Sequence, residues 1–350
     1  MPKPATTPAP VRRRVTALYA ALIIANIAAW IWALALFHDK PVLLGTAFLA
    51  YSFGLRHAVD ADHIAAIDNV TRKLMQDGQR PVAVGFFFAL GHSAVVVVAA
   101  VAIALTASAL SALESFKVYG GVIATSISSF FLFGIAAINI VILRGVWRAF
   151  RQARRTGEYV EEDLDLLLSQ RGLVSQLVRP LFKIITRSWH MAPLGFLFGL
   201  GFDTATEVSL LGMAAAHASE GMSLATVLVF PALFAAGMSL VDTTDGVLML
   251  GAYDWAFVKP IRKLYYNLTI TLISVLIALI IGAIQTLSLL SDKLGLTGGI
   301  WDGAAAVAEH FGLMGYAIIG VFVGAWLISH LIYRLKGFDR LEVRAVPPSP

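Results

Sequence analysis

The sequence contains no cysteine, which excludes disulfides and removes thiolate from the possible metal ligands. Any bound ion must be held by nitrogen and oxygen donors, with a methionine thioether as the only sulfur on offer. Charge is scarce too. Only 14% of the 350 residues are Asp, Glu, Lys or Arg, against 58% hydrophobic, a balance that is rare in soluble chains and usual in polytopic membrane proteins. The apolar runs are too many and too long for a cleaved signal peptide followed by a soluble domain. There is no Walker-type phosphate loop, no HExxH and no Gly-x-Ser-x-Gly. The chain therefore carries no evident ATP site and no hydrolase signature.

What is present is a series of long apolar segments. Eight can each cross a hydrocarbon core, which takes about 20 helical residues: 15–37, 42–67, 82–107, 118–143, 191–217, 223–251, 264–290 and 312–334. Backbone groups in lipid must satisfy one another, and the runs lack strand alternation, so an all-α polytopic fold is expected. The division is a tail over 1–14, spans 1–4 over 15–143, a cytoplasmic loop over 144–190, spans 5–8 over 191–334 and a tail over 335–350. Both tails are read as disordered at their Pro-rich ends. The loop turns acidic over 158–165, and a short amphipathic helix is expected around 161–168.

Basic residues fix the orientation. Arg12, Arg13 and Arg14 precede span 1; Arg72, Lys73 and Arg80 follow span 2; Arg144, Arg148, Arg151, Arg154 and Arg155 follow span 4. Lys259, Arg262 and Lys263 follow span 6, and Arg334, Lys336, Arg340 and Arg344 follow span 8. All five clusters fall on one side if both termini are cytoplasmic, which implies a multi-pass protein of the bacterial inner membrane. The net charge of +5 then reflects loop placement and gives no reason to expect nucleic acid.

One segment breaks the apolar pattern. Residues 54–68 carry Arg56, His57, Asp60, Asp62, His63 and Asp68 directly after the hydrophobic stretch 42–53. An ionised group at mid-bilayer costs roughly 2.5 to 3.5 kcal/mol on insertion scales, so such a segment needs a compensating partner. On a regular helix His57 and Asp60 share a face while Asp62 and His63 point elsewhere. All four converge on one ion only if the helix is partly unwound or if neighbouring spans divide the work. Arg56 is placed to compensate the carboxylates of an empty site. The simpler reading puts Asp62, His63 and Asp68 at the cytoplasmic end, facing water.

Other spans carry matching polar residues. His92 sits between Gly91 and Ser93 in span 3, where small neighbours permit close helix approach. Asp203 and Glu207 lie four apart in span 5, with Thr204 and Thr206 beside them. Met238, Asp242 and Asp245 form an i, i+4, i+7 stripe in span 6. A metal site, a proton relay, and carboxylates orienting imidazoles through their second nitrogen are the competing readings. Asn139, His217, Asp254, Gln285, His310 and His330 lie alone or at span ends and are read as bland.

The segments also pair. Phe53-Gly54-Leu55 matches Phe198-Gly199-Leu200, with Asp62 and Glu207 each seven residues beyond the leucine. Phe88-Ala89-Leu90-Gly91-His92-Ser93 matches Phe234-Ala235-Ala236-Gly237-Met238-Ser239. Spans 2 and 5 run in opposite directions, so spans 2–4 against 5–7 make an inverted repeat, the arrangement of many secondary transporters. Ordinary packing of small residues is the alternative.

Imidazole and carboxylate without thiolate suit Ni(II), Co(II) or Zn(II), less so Mn(II), and argue against Cu(I). Residues 56–64, Gly91-His92-Ser93, residues 200–207 and residues 237–245 together resemble the four signatures of the nickel/cobalt transporter family (NiCoT). The resemblance covers spans 2, 3, 5 and 6 in order. It implies a single-chain permease, not an enzyme, that takes up Ni(II) or Co(II) as substrate and needs neither a prosthetic group nor an ATPase subunit. It carries metal recognition onto His57, Asp60, Asp62 and His63, and Val59 is more like nickel-preferring members. His92, Asp203, Glu207, Asp242 and Asp245 complete the expected set. An efflux protein and an intramembrane metal-dependent hydrolase are the alternatives. Export typically uses a His-rich cytoplasmic loop, and residues 144–190 contain only His190.

Overall fold

Apolar runs with few Pro interruptions and no strand alternation fold as helices, which satisfy their own backbone groups in lipid. A computed structural model describes residues 9–105, 108–160, 185–200, 205–219, 221–256, 260–337 and 344–346. In chain order the helices are α1 Ala9–Phe37, α2 Pro41–His57, α3 Ala61–Gln76, α4 Val84–Leu105, α5 Ser108–Thr156 and α6 Met191–Gly199. They continue as α7 Ala205–Ser219, α8 Leu224–Val227, α9 Val229–Ala256, α10 Pro260–Leu294, α11 Gly299–Ala308 and α12 Phe311–Leu335. The described strands are β1 Glu158–Val160 and β2 Arg344–Val346, paired in parallel.

Six helices are individually long and apolar enough to cross a membrane. α2 and α3 qualify together as a seventh span, bent by 51° at the break between them. The span expected over 191–217 falls on α6 and α7, and residues 201–204 between them lie outside the described residues. Large apolar side chains such as Ile24, Phe48, Val98, Phe130, Ile280 and Val321 are exposed around the outside, as a lipid-facing surface requires.

Four expectations change. α1 already begins at Ala9, and Val11 is buried against Met75, Leu250 and Tyr253, so residues 9–14 belong to the helix. α5 runs unbroken to Thr156, which places Arg144 to Arg155 on a helical extension of span 4. Arg72 and Lys73 are buried at the end of α3. The C-terminal tail contributes β2, because residues 344–346 pair with 158–160. The helix expected around 161–168 lies outside the described residues.

The helices around the polar segment pack through glycines. A Cβ on Gly54 of α2 would run into the Phe234 carbonyl of α9, and one on Gly237 would lie 2.8 Å from the Tyr51 oxygen. α4 and α6 approach in the same manner, Gly91 against Ala192 and Phe196, and Gly195 against Phe88. Gly315 of α12 lets that helix sit on the Val59 carbonyl, directly at the α2–α3 break.

Candidate metal site

The break is local and chemical. Past Gly54 the chain tightens, with the Val59 amide donating to the Arg56 carbonyl at 3.0 Å and the Asp60 amide to that of His57 at 2.9 Å. Asp60 is then extended, at φ −65° and ψ 146°, and α3 starts at Ala61. Unwinding at 58–60 turns His57 and His63 toward each other, which a continuous helix forbids. Their ring centroids lie 4.7 Å apart, and each is 4.8 Å from the ring of His92 on α4. The three imidazoles thus form a nearly equilateral triangle. All are buried, and one ligand nitrogen from each falls within 4.8 Å of the others.

Carboxylates from other helices meet the triangle. Glu207 Oε1 of α7 lies 2.9 Å from His92 Nε2 and 3.8 Å from His57 Nε2, and the two Nε2 atoms are 2.8 Å apart. Asp60 Oδ2 lies 3.0 Å from His57 Nδ1, and Asp242 Oδ1 of α9 lies 3.3 Å from His63 Nδ1. A carboxylate on Nδ1 holds the proton there and leaves Nε2 as a free lone pair, the arrangement that orients metal-binding histidines. Asp60 Oδ1, His92 Nδ1 and Asp242 Oδ2 are buried with no hydrogen-bond partner. Unpartnered carboxylate oxygens in a buried site favour a cation.

Phe88 packs edge-on against His63 at 4.8 Å, and Phe234 lies 5.5 Å from His57. Both phenylalanines are fully buried and wall the site against water.

The structure therefore brings together His57, His63, His92, Asp60, Glu207 and Asp242. Asp62 is half-buried and turns to α10; its carboxylate accepts from the His63 amide at 3.0 Å and from Gln285 Nε2 at 3.5 Å. Asp245 lies one turn beyond Asp242. Asp203 lies outside the described residues. Arg56 is exposed, so the guanidinium expected to balance the empty site points away from it. Among the described residues the buried guanidinium is that of Arg72, 1% exposed. Asp68, expected to face water, has no exposed surface. The residues read as bland include two that are not: Asn139 donates to Asn69, and Gln285 accepts from Ser128 and Ser129. Their burial, Asn139 of α5 against α3 and Gln285 of α10 against α5, had no signature in residue spacing.

A helical chain with several membrane-length apolar helices and a buried imidazole–carboxylate cage at a broken helix has the architecture expected of a polytopic metal-ion carrier. Residues 43–332 match the family model described as high-affinity nickel-transport protein (NicO), and the chain belongs to that family. It is 59% identical to a high-affinity nickel transport protein of Cupriavidus necator, covering 95% of each chain. It is 50% identical to the nickel transporter NixA of Staphylococcus aureus, over 87% of this chain and 88% of that one. A cobalt transport protein, NhlF of Rhodococcus rhodochrous, is 41% identical over 93% of this chain and 94% of its own length. No solved structure matches.

Proposed function

We propose that the protein is a secondary-type permease that imports Ni(II), and accepts Co(II), across the bacterial cytoplasmic membrane. The observation that carries this reading is the cage itself: three buried imidazoles within ligand distance of one another, met by carboxylates from α7 and α9 and by Asp60 at the break. Nickel and cobalt are the cargoes named for the relatives. In this reading the ion sheds water to His57, His63 and His92. Glu207 and Asp242 compensate its charge, and Asp60 orients His57.

Eight spans with both termini cytoplasmic, α6 and α7 forming a broken fifth span, complete the topology. The inverted repeat, spans 2–4 against 5–7, is supported by reciprocal contacts. The first span of each half meets the second span of the other, α2 on α9 and α6 on α4. The matched glycines Gly237 and Gly91 touch the matched residues Tyr51 and Phe196. The matched Phe88 and Phe234 wall the same cage. Rocking of one half against the other releases the ion inward.

The test is radiolabelled nickel uptake by cells expressing the chain, with Co, Zn and Mn as competitors. His57→Ala and His92→Ala are expected to abolish uptake while the protein persists in the membrane. Undiminished uptake in both overturns the site, and nickel loss from preloaded cells in place of gain marks an exporter.

A further inference from the structure

A second buried polar cluster lies along α3 beyond His63. Asp68, Thr71 and Arg72 stand at i, i+3 and i+4 and so share one face. Asp242, Asp245 and Gly246 share a face of α9 in the same way. The two faces meet: Thr71 Oγ1 lies 4.0 Å, and Ile67 Cγ2 3.5 Å, from the position a Cβ on Gly246 would take. Asp68 accepts from Ser274 Oγ at 2.7 Å and from Tyr253 Oη at 2.5 Å. Arg72 Nη2 donates to Asn69 Oδ1 at 2.7 Å, an oxygen that also accepts from Asn139. Asp68 and Asp242 are the charged neighbours that act on Asp245.

This cluster is half satisfied. Arg72 Nε and Nη1, Thr71 Oγ1 and Asp245 Oδ2 are all buried with no hydrogen-bond partner. Each such atom costs about 1–3 kcal/mol, and more when charged, so a purely structural network would not leave four together. Asp68 shares its face of α3 with Arg72 and acts on Asp245 across the interface, two carboxylates to one guanidinium, which leaves room for positive charge. The donors are all oxygen. Oxygen alone holds a borderline divalent ion more weakly than imidazole does, as a release step requires.

By a rise of about 1.5 Å per residue, Asp68 stands about 7–8 Å and Arg72 about 13–14 Å along α3 from His63. We propose that Asp68, Thr71 and Asp245 form an all-oxygen relay by which the cation leaves the imidazole cage, with Arg72 the counter-charge it displaces. The proposal rests on the import reading and on the orientation that points the end of α3 inward. Without the ion, Arg72 balances the carboxylates; with it, Arg72 turns aside and later returns behind it.

The experiment uses the full chain, purified in detergent for nickel calorimetry and reconstituted in liposomes for nickel uptake. Asp245→Asn and Arg72→Gln are expected to bind nickel within about threefold of the parent and to carry it at least about tenfold more slowly, a loss of rate without a loss of binding. Asp245→Glu and Arg72→Lys should recover much of the rate. Parental uptake by Asp245→Asn overturns the relay, as does parallel loss of binding and uptake in both variants. Asp245 is chosen because its free Oδ2 makes its loss gentler on folding than loss of Asp68. A parent chain that carries no nickel refutes the import reading instead, so the two failures are distinct.

Discussion

His57 Nε2 lies 2.8 Å from His92 Nε2, a distance two bare lone pairs cannot share. A proton must sit between the nitrogens, or between His92 and Glu207 at 2.9 Å, when no metal is bound. A divalent ion takes those lone pairs, and the proton moves to His92 Nδ1, which is buried without a partner, or leaves to solvent. Nickel binding should therefore release at most about one proton per ion. Calorimetry in two buffers of different ionisation enthalpy measures it, and release of two or more would contradict the shared-proton arrangement.

Asp60 and Asp242 touch imidazoles through Nδ1, so their removal should loosen the cage without emptying it. Asp60→Asn is expected to weaken nickel binding about 10- to 100-fold, the usual cost of losing a partner that orients a ligand. Asp242→Asn should weaken it similarly, but only while His63 is present. A double-mutant cycle with His63→Ala checks this. Additive losses would mean that Asp242 acts on the ion independently of His63.

Much of this site was legible in the chain. An Arg-His-x-x-Asp-x-Asp-His segment inside an apolar run stands out by its charge, and its spacing leaves two ways to converge on one ion, an unwound helix or shared work between spans; the structure shows both. His92, Glu207 and Asp242 were each marked by charge or small neighbours within a span. Asp68 and Arg72 were misread because position near a span end says nothing about what covers it. Asn139 of α5, Ser274 of α10 and Tyr253 of α9 reach across to cover the end of α3. Arg56 differs for a simpler reason: consecutive residues of a helix point about 100° apart, and α2 buries His57 while leaving Arg56 exposed. Phe88 and Phe234 were seen only as repeat markers, because apolar residues in an apolar helix carry no sign of the face they occupy.

Glycine contacts make a sharper test of the packing than core substitutions do. Gly85 has the Asp242 carbonyl where a Cβ would go, whereas Gly45 on α2 has nothing within 4 Å. Gly85→Ala should force α4 and α9 apart at the level of the cage, at about 1–3 kcal/mol for overpacking, and lower both the melting temperature in detergent and nickel uptake. Gly45→Ala should leave both unchanged or slightly improved, since alanine is the better helix former. Equal behaviour of the two variants would refute the close approach of α4 to Asp242.

The absence of cysteine makes the orientation directly measurable, because any introduced thiol is the only one in the chain. Asp39, Asp77, Arg151 and Asp302 are all exposed and lie on alternating sides of the expected topology. Asp39 follows α1 and Asp302 lies on α11, both in the poorly basic outer segments. Asp77 follows α3, and Arg151 lies on the basic extension of α5. In intact cells an impermeant maleimide should label Asp39→Cys and Asp302→Cys but reach Asp77→Cys and Arg151→Cys only after permeabilisation. The reverse pattern would invert the protein. The carboxylates beyond the cage would then face the outside, and the order of cage and relay would describe export.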